Sequence, residues 1–289
     1  MPLIAWVNGH FLPLEKAVVH IEDRGFQFAD GVYEVIACFN GSFLDMDAHL
    51  QRLERSCQAI DITPPVSRNA LLSLIEQTYQ RNPYANALVY IQITRGVAPR
   101  SHLVPQALTP TMVITSRDLA MPSDEKISTG VNGITLNDIR WKRCDIKSIA
   151  LLASVIGKQE AKQHGADETF WQDDQQHILE GCTTNCFAVI NGALVTHPLD
   201  HQVLGGITRS MALRIAKSLD IAVEERSWKL DEAGLTECLM SCTTNAIMPV
   251  CHMNGEAIGT GHPGPVATLL RQEMLKAFAA LQSNKPTHA

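Results

Sequence analysis

Five Asn-Gly dipeptides, at Asn8, Asn40, Asn132, Asn191 and Asn254, constrain this chain more than any other feature. The pair suits a type I′ turn, in which both central residues need φ > 0, and such turns join adjacent antiparallel strands. Three of them lie between alternating runs that predict hairpins: Val32–Phe39 with Ser42–Met46, Cys186–Ile190 with Ala193–Thr196, and Ile247–Met253 with Glu256–Ile258. Leu3–Val7 with His10–Pro13 makes a weaker fourth. Asn132-Gly133 sits inside a strand-like run and fits no hairpin. This much hairpin chemistry argues for antiparallel or mixed sheets and against a doubly wound parallel one.

Helical patterns fall between the hairpins, so the fold class is α/β. Asp47 suits the N-cap of a helix to about Ala59, with Leu50, Leu53, Cys57 and Ile60 on one face. Ser67 suits a second cap, with Leu71, Leu74, Ile75 and Thr78 inward. Further helices are expected over Ile146–His164, Thr208–Leu219 and Val266–Leu281, and strands over Ala87–Thr94 and Thr111–Ser116. A length of 289 residues allows one large or two ordinary domains. The segment Asp118–Asp124 has turn composition, so the division is read as residues 1–118, a loop over 119–124, and 125–289. The tail Gln282–Ala289 is expected to fray.

At 45% hydrophobic and 19% charged, the chain can bury a core, which excludes general disorder. A net charge of −6 argues against nucleic acid or an anionic membrane as partner. No apolar run reaches the roughly 18 residues of a membrane span. The first residues carry no basic leader, so a cytoplasmic location is expected. Eight scattered cysteines without a CxxC pair read as reduced, buried small hydrophobes, and no metal site is expected.

Several segments could carry chemistry. Leu204–Thr208 (LGGIT) runs into a helix, where backbone N–H groups and the Thr208 hydroxyl can meet a phosphate; a flexible loop with a Thr cap explains it equally. GCTTN at Gly181–Asn185 and SCTTN at Ser241–Asn245 are nearly the same word, and both could line a polar pocket or form plain turns. Lys147 ends the basic run Arg140–Lys147 and precedes an apolar stretch. A lysine opening a buried helix beside Lys142 and Arg143 is expected to be desolvated and near like charge, which favours a nucleophilic amine. Glu180 precedes a glycine at a strand end, where it could enter a pocket or stay solvated. Arg100 and His102, two apart after Pro99, can aim two donors at a carboxylate.

These segments fall in a familiar order. EDRGFQFADGVYEV (22–35), HLQRL (49–53), ITRGVAPRSH (93–102), DIRWKRCDIKSIALLASVIGKQEA (138–161), LEGCTTNCF (179–187), LGGITR (204–209) and SCTTNAIMPV (241–250) together resemble the fold-type IV pyridoxal-phosphate enzymes, the class IV aminotransferases. Within that family the resemblance leans to enzymes acting on D-amino acids. It implies two α/β domains, with mixed or antiparallel sheets and flanking helices, holding pyridoxal 5'-phosphate between them. The C-terminal domain would carry the Schiff-base lysine.

The resemblance also assigns roles. Lys147 is implied as that lysine and as the base that moves the Cα proton. Glu180 is implied as the partner of the pyridine N–H, keeping the ring an electron sink. Arg52, Ile207, Thr208 and Thr243 are implied as the phosphate cup, and Leu204 as the residue packed on the cofactor ring. Tyr33, Arg100 and His102 are implied as binders of the α-carboxylate of a D-amino acid such as D-alanine, with a 2-oxo acid such as 2-oxoglutarate as acceptor. The Arg–His loop would serve a neighbouring subunit, which implies a homodimer. The alternative within the fold is a 4-amino-4-deoxychorismate lyase that releases pyruvate to form 4-aminobenzoate. Three positions depart from the pattern: Ala150 stands where Asn is expected, and Cys182 and Cys242 where Ser is expected.

Overall fold

The computed structural model describes residues 2–283. The expected fraying tail therefore lies outside the described residues, apart from Gln282 and Ser283, which continue the last helix. The chain forms two compact units. The first comprises residues up to Ala120, the segment Ile146–Ala150 and the chain from Ala280; the second comprises Met121–Asp145 and Leu151–Ala279.

In the first unit the order is β1 (Ile4–Val7), β2 (His10–Pro13), α1 (Arg24–Phe28), β3 (Gly31–Phe39), β4 (Ser42–Phe43), α2 (Met46–Ala59), α3 (Arg68–Gln80), β5 (Asn86–Thr94) and β6 (Thr111–Asp118). The sheet runs β2-β1-β6-β5-β3-β4, antiparallel throughout. Alternation in β5 turns Ala87, Val89, Ile91 and Ile93 inward. Val89, Ile91 and Ile93 meet Leu50 and Leu53 of α2 and Leu71 and Ile75 of α3 in one core. Ser67 caps α3 by accepting from the Ala70 N–H, as its position predicts. The start of α2 differs from expectation: Asp45, in a left-handed conformation, is the N-cap, and Met46 belongs to the helix rather than to the hairpin.

The second unit continues with α4 (Asp124–Thr129), β7 (Val131–Asn137), α5 (Leu152–Gln163), β8 (Glu168–Gln172), β9 (Ile178–Gly181), β10 (Asn185–Ile190), β11 (Ala193–Thr196), α6 (Ile207–Ser218), β12 (Val223–Glu225), β13 (Leu235–Cys242), β14 (Ala246–Met253), β15 (Glu256–Ala257) and α7 (Pro265–Ser283), whose end from Ala280 belongs to the first unit. Its nine-stranded sheet is mixed: β7 runs parallel to both β8 and β14, and β11 parallel to β12. The pairing of β9 with β10, at Glu180 opposite Asn185, closes the path β10-β13-β14-β7-β8-β9 on itself. That closure places Glu180 on a seam rather than on an edge.

Four of the five Asn-Gly pairs make the expected turns, with positive φ at Asn8, Asn40, Asn191 and Asn254 and at the glycine after each. The fifth, Asn132-Gly133, is interior to β7. A Cβ on Gly133 would sit 2.6 Å from the Phe170 ring and 2.8 Å from Met253 Sδ, so packing explains this glycine.

Candidate active site

Lys147 does not open a helix. α5 begins only at Leu152, and Lys147 lies in an extended segment that pairs with β3. The Tyr33 N–H donates to the Lys147 carbonyl (3.0 Å), the Ile149 N–H donates to that of Gly31 (3.1 Å), and Val32 and Ser148 form an antiparallel bridge. The Ser56 hydroxyl accepts from the Lys147 N–H at 3.2 Å. Residues 146–150 thus pack with the first unit, not with the C-terminal domain that the sequence suggests for this lysine. The reason is nonlocal: beyond the short β4, β3 needs a partner on its second side. Lys147 Nζ stands 4.3 Å from the centroid of the Tyr33 ring, which itself stacks on Tyr90 at 5.6 Å. An aromatic face attracts a cation at that distance and fixes the amine beside the phenol.

Arg52 is buried on α2, and its guanidinium grips Glu34 of β3. Nε donates to Glu34 Oε1 (2.6 Å) and Nη2 to Oε2 (2.9 Å), while His49 Nδ1 lies 2.8 Å from Oε2. Glu34 is fully buried. Burial alone would push its carboxyl up, but the bonds from Arg52 and His49 outweigh it and hold it down at about 2. Arg100 and His102 are exposed on the loop after β5. Both lie against Phe28 at the end of α1, with Arg100 Cζ 4.7 Å from its centroid and the His102 ring 5.4 Å away.

In the second unit Glu180 is buried and accepts three donors: Arg140 Nη1 (2.5 Å), Asn185 Nδ2 (3.0 Å) and the Leu204 N–H (3.0 Å). Such a donor set suits an anionic carboxylate. Arg140 also donates to both Asp138 oxygens and to the Gln202 carbonyl. Burial would lower its affinity for a proton, but Asp138 and Glu180 raise it. Of the basic run, Arg140 is thus enclosed, whereas Lys142 is exposed and Arg143 pairs with Asp145 near the surface. Asn185 Nδ2 reaches the Leu204 carbonyl as well (2.8 Å). A Cβ on Gly206 would run into the Asn185 side-chain oxygen, so the bare backbone at the start of α6 is a packing requirement. Gly206 is the N-cap and no side chain caps α6 there; Ile207 and Thr208 form its first turn, Thr208 buried. Thr243 is half-buried in the turn between β13 and β14.

The structure thus brings Tyr33 to Lys147, Arg100 to His102, and Leu204 to Glu180. Sequence reasoning missed Glu34, His49, Asn185 and Phe28 as supports and read Arg140 only as part of a basic turn. Burial pushes the Cys182 thiol up to about 12, and none of the eight cysteines is in a disulfide. Among the described residues no His, Cys, Asp and Glu cluster could hold a metal, and no helix is long and apolar enough to cross a membrane.

The family model for class IV amino-transferases matches residues 31–253. A D-alanine aminotransferase of Listeria monocytogenes is 38% identical over 286 residues, covering 96% of this chain and 99% of its own. One of Staphylococcus haemolyticus is 34% identical over 280 residues, with 96% and 99% covered. Among solved structures, a branched-chain amino acid aminotransferase of Escherichia coli superposes with a TM-score of 0.90 at 24% identity, covering 99% of this chain and 98% of that one. A T.th. branched-chain amino acid aminotransferase with pyridoxamine 5'-phosphate gives 0.87 at 25%, covering 99% and 96%.

Proposed function

We propose a D-amino acid aminotransferase dependent on pyridoxal 5'-phosphate, from one premise: this chain belongs to the class IV aminotransferase family. The reaction moves an amino group from a D-amino acid such as D-alanine to a 2-oxo acid such as 2-oxoglutarate. The observation that carries the choice of a D-amino acid is the likeness, along nearly the whole chain, to enzymes that act on D-alanine.

The residues present suit the cofactor. Lys147 offers a primary amine held beside Tyr33. Glu180, with three donors on its carboxylate, suits a protonated pyridine nitrogen. The glycine-capped start of α6, with Ile207 and Thr208, suits a phosphate. Arg52 and Thr243 complete that cup in this reading, and Leu204 lies against the ring. When bound, the cofactor supplies the carbonyl that condenses with the substrate amine and the ring that takes up the Cα electron pair.

The chain's own groups do the rest. Lys147 Nζ takes the proton from the substrate Cα as general base. Glu180 holds a proton on the pyridine nitrogen, and Arg140 and Asn185 hold Glu180. Arg100, His102 and Tyr33 bind the α-carboxylate and so decide which Cα–H meets the amine. Lys147→Ala abolishes production of pyruvate from D-alanine and 2-oxoglutarate; a variant that keeps it overturns the assignment. A wild-type protein inert to D-alanine but releasing pyruvate from 4-amino-4-deoxychorismate would turn the reading to the lyase.

A homodimer follows from the same reading, with the Arg100–His102 loop serving the neighbouring subunit. In the first unit Val18, Ile21, Phe26 and Leu103 are 75%, 75%, 75% and 82% exposed, which suits a surface covered by a second copy. Mixing and re-annealing inactive Lys147→Ala chains with weakly binding Arg100→Ala chains restores wild-type affinity for D-alanine at about a quarter of the sites by random pairing. No recovery overturns the shared site.

A further inference from the structure

The loop bearing Arg100 and His102 is anchored twice. At its base, Asp23 and Val97 form an antiparallel bridge, the Arg24 N–H donates to the Gly96 carbonyl (2.9 Å), and the Ala98 N–H donates to that of Glu22 (3.2 Å). Gly96, with φ +107°, permits the turn out of β5, and a Cβ there would run into the Thr109 carbonyl. Further out, side chains of α1 take over. Arg24 Nη1 donates to the Ser101 carbonyl (2.6 Å), between the two candidate binders. Arg24 is itself fixed by Asp30 at 2.8 Å, a carboxylate that also holds Arg95 at the exit of β5. The Phe28 ring then collects three groups: Arg24 Cζ at 4.8 Å, Arg100 Cζ at 4.7 Å and the His102 ring at 5.4 Å.

We propose that Phe28 is a positioning residue for substrate selection, its ring setting Arg100 and His102 as one pair toward the substrate carboxylate. The proposal rests on the reading of those two residues as carboxylate binders. A guanidinium lying over a ring presents its face to the ring and keeps its N–H edge for a planar anion. An exposed arginine otherwise samples many rotamers, and each must be surrendered when substrate arrives. Stacking on Phe28 removes much of that loss beforehand, which favours binding without touching the chemistry.

The test uses the cofactor-loaded enzyme. Phe28→Ala raises KM for D-alanine about tenfold with kcat within about twofold of wild type. Phe28→Leu, which keeps apolar bulk but no ring, behaves like Phe28→Ala, whereas Phe28→Tyr restores the wild-type KM. In an Arg100→Ala, His102→Ala background, Phe28→Ala changes KM by less than about twofold. Amide hydrogen exchange across residues 99–104 rises in Phe28→Ala while bound cofactor, read by its visible absorption, is retained. Unchanged exchange in that loop overturns the proposal whatever the activity does, as does an equal KM penalty in the doubly substituted background. An Arg100→Ala enzyme with wild-type KM overturns instead the carboxylate reading beneath it.

Discussion

The two units handle a functional charge in opposite polarity. In the first, the candidate functional group is a cation, Arg52, and a buried carboxylate, Glu34, supports it from the adjacent strand. In the second, the candidate functional group is a carboxylate, Glu180, and a buried cation, Arg140, supports it. The balance also differs. Glu34 grips Arg52 with both oxygens, a carboxylate paired with a guanidinium. Arg140 faces both Asp138 and Glu180, which leaves one negative charge in excess. An excess anion is what a protonated ring nitrogen needs. In the second unit the proposed phosphate would find the bare N–H groups at the glycine-capped start of α6.

The largest effect expected from this contrast is on stability. Glu34→Gln leaves the Arg52 cation buried without its counter-charge and lowers unfolding free energy by about 3–5 kcal/mol in a urea titration. A loss below about 1 kcal/mol would mean that Arg52 is as well solvated as a surface group. Acid tests the first unit next. Glu34 is held at about 2 against an ordinary 4.5, so its contribution is complete above 4.5 and disappears as pH falls through about 2. Unfolding free energy therefore drops by about 3 kcal/mol over that interval, and Glu34→Gln flattens the slope. An unchanged slope in the variant would place the acid sensitivity elsewhere.

Arg140→Met is expected to remove about 2 kcal/mol, less than Glu34→Gln, because its group is less deeply enclosed and Asn185 and Leu204 still hold Glu180. It weakens cofactor retention by about tenfold on dialysis, a loss of about 1.4 kcal/mol. Retention equal to wild type would show that Arg140 supports the fold alone. The smallest stability effect belongs to Arg100→Ala, which stays within about 0.5 kcal/mol since the side chain is exposed. A large loss there would make Arg100 structural, like Arg52.

What the sequence made legible was local chemistry. The turns at Asn8, Asn40, Asn191 and Asn254 follow from two residues each, and the Ser67 cap from one side chain and a helix start. Asn132-Gly133 escaped because its glycine answers to Phe170 and Met253, which are distant in the chain. Lys147 was read into a helix because the apolar run after it is helical only from Leu152; its pairing with β3 spans more than a hundred residues. The motif order pointed to Lys147, Glu180 and Arg52 through likeness to a family. Their partners Glu34 and Asn185 emerge only once register is known: Glu34 through β3 against α2, and Asn185 through the seam with β9.

The loan of residues 146–150 to the first unit has a consequence for how the protein is made. A ribosome finishes residues 2–120 well before it reaches Lys147. Until then the open side of β3 from Gly31 to Tyr33 presents unsatisfied main-chain groups, an invitation to other nascent chains. The first unit gains a partner for this edge only when the strand bearing Lys147 is laid down. Quality control that recognises an unfinished sheet edge would thereby also reject chains that end before this strand.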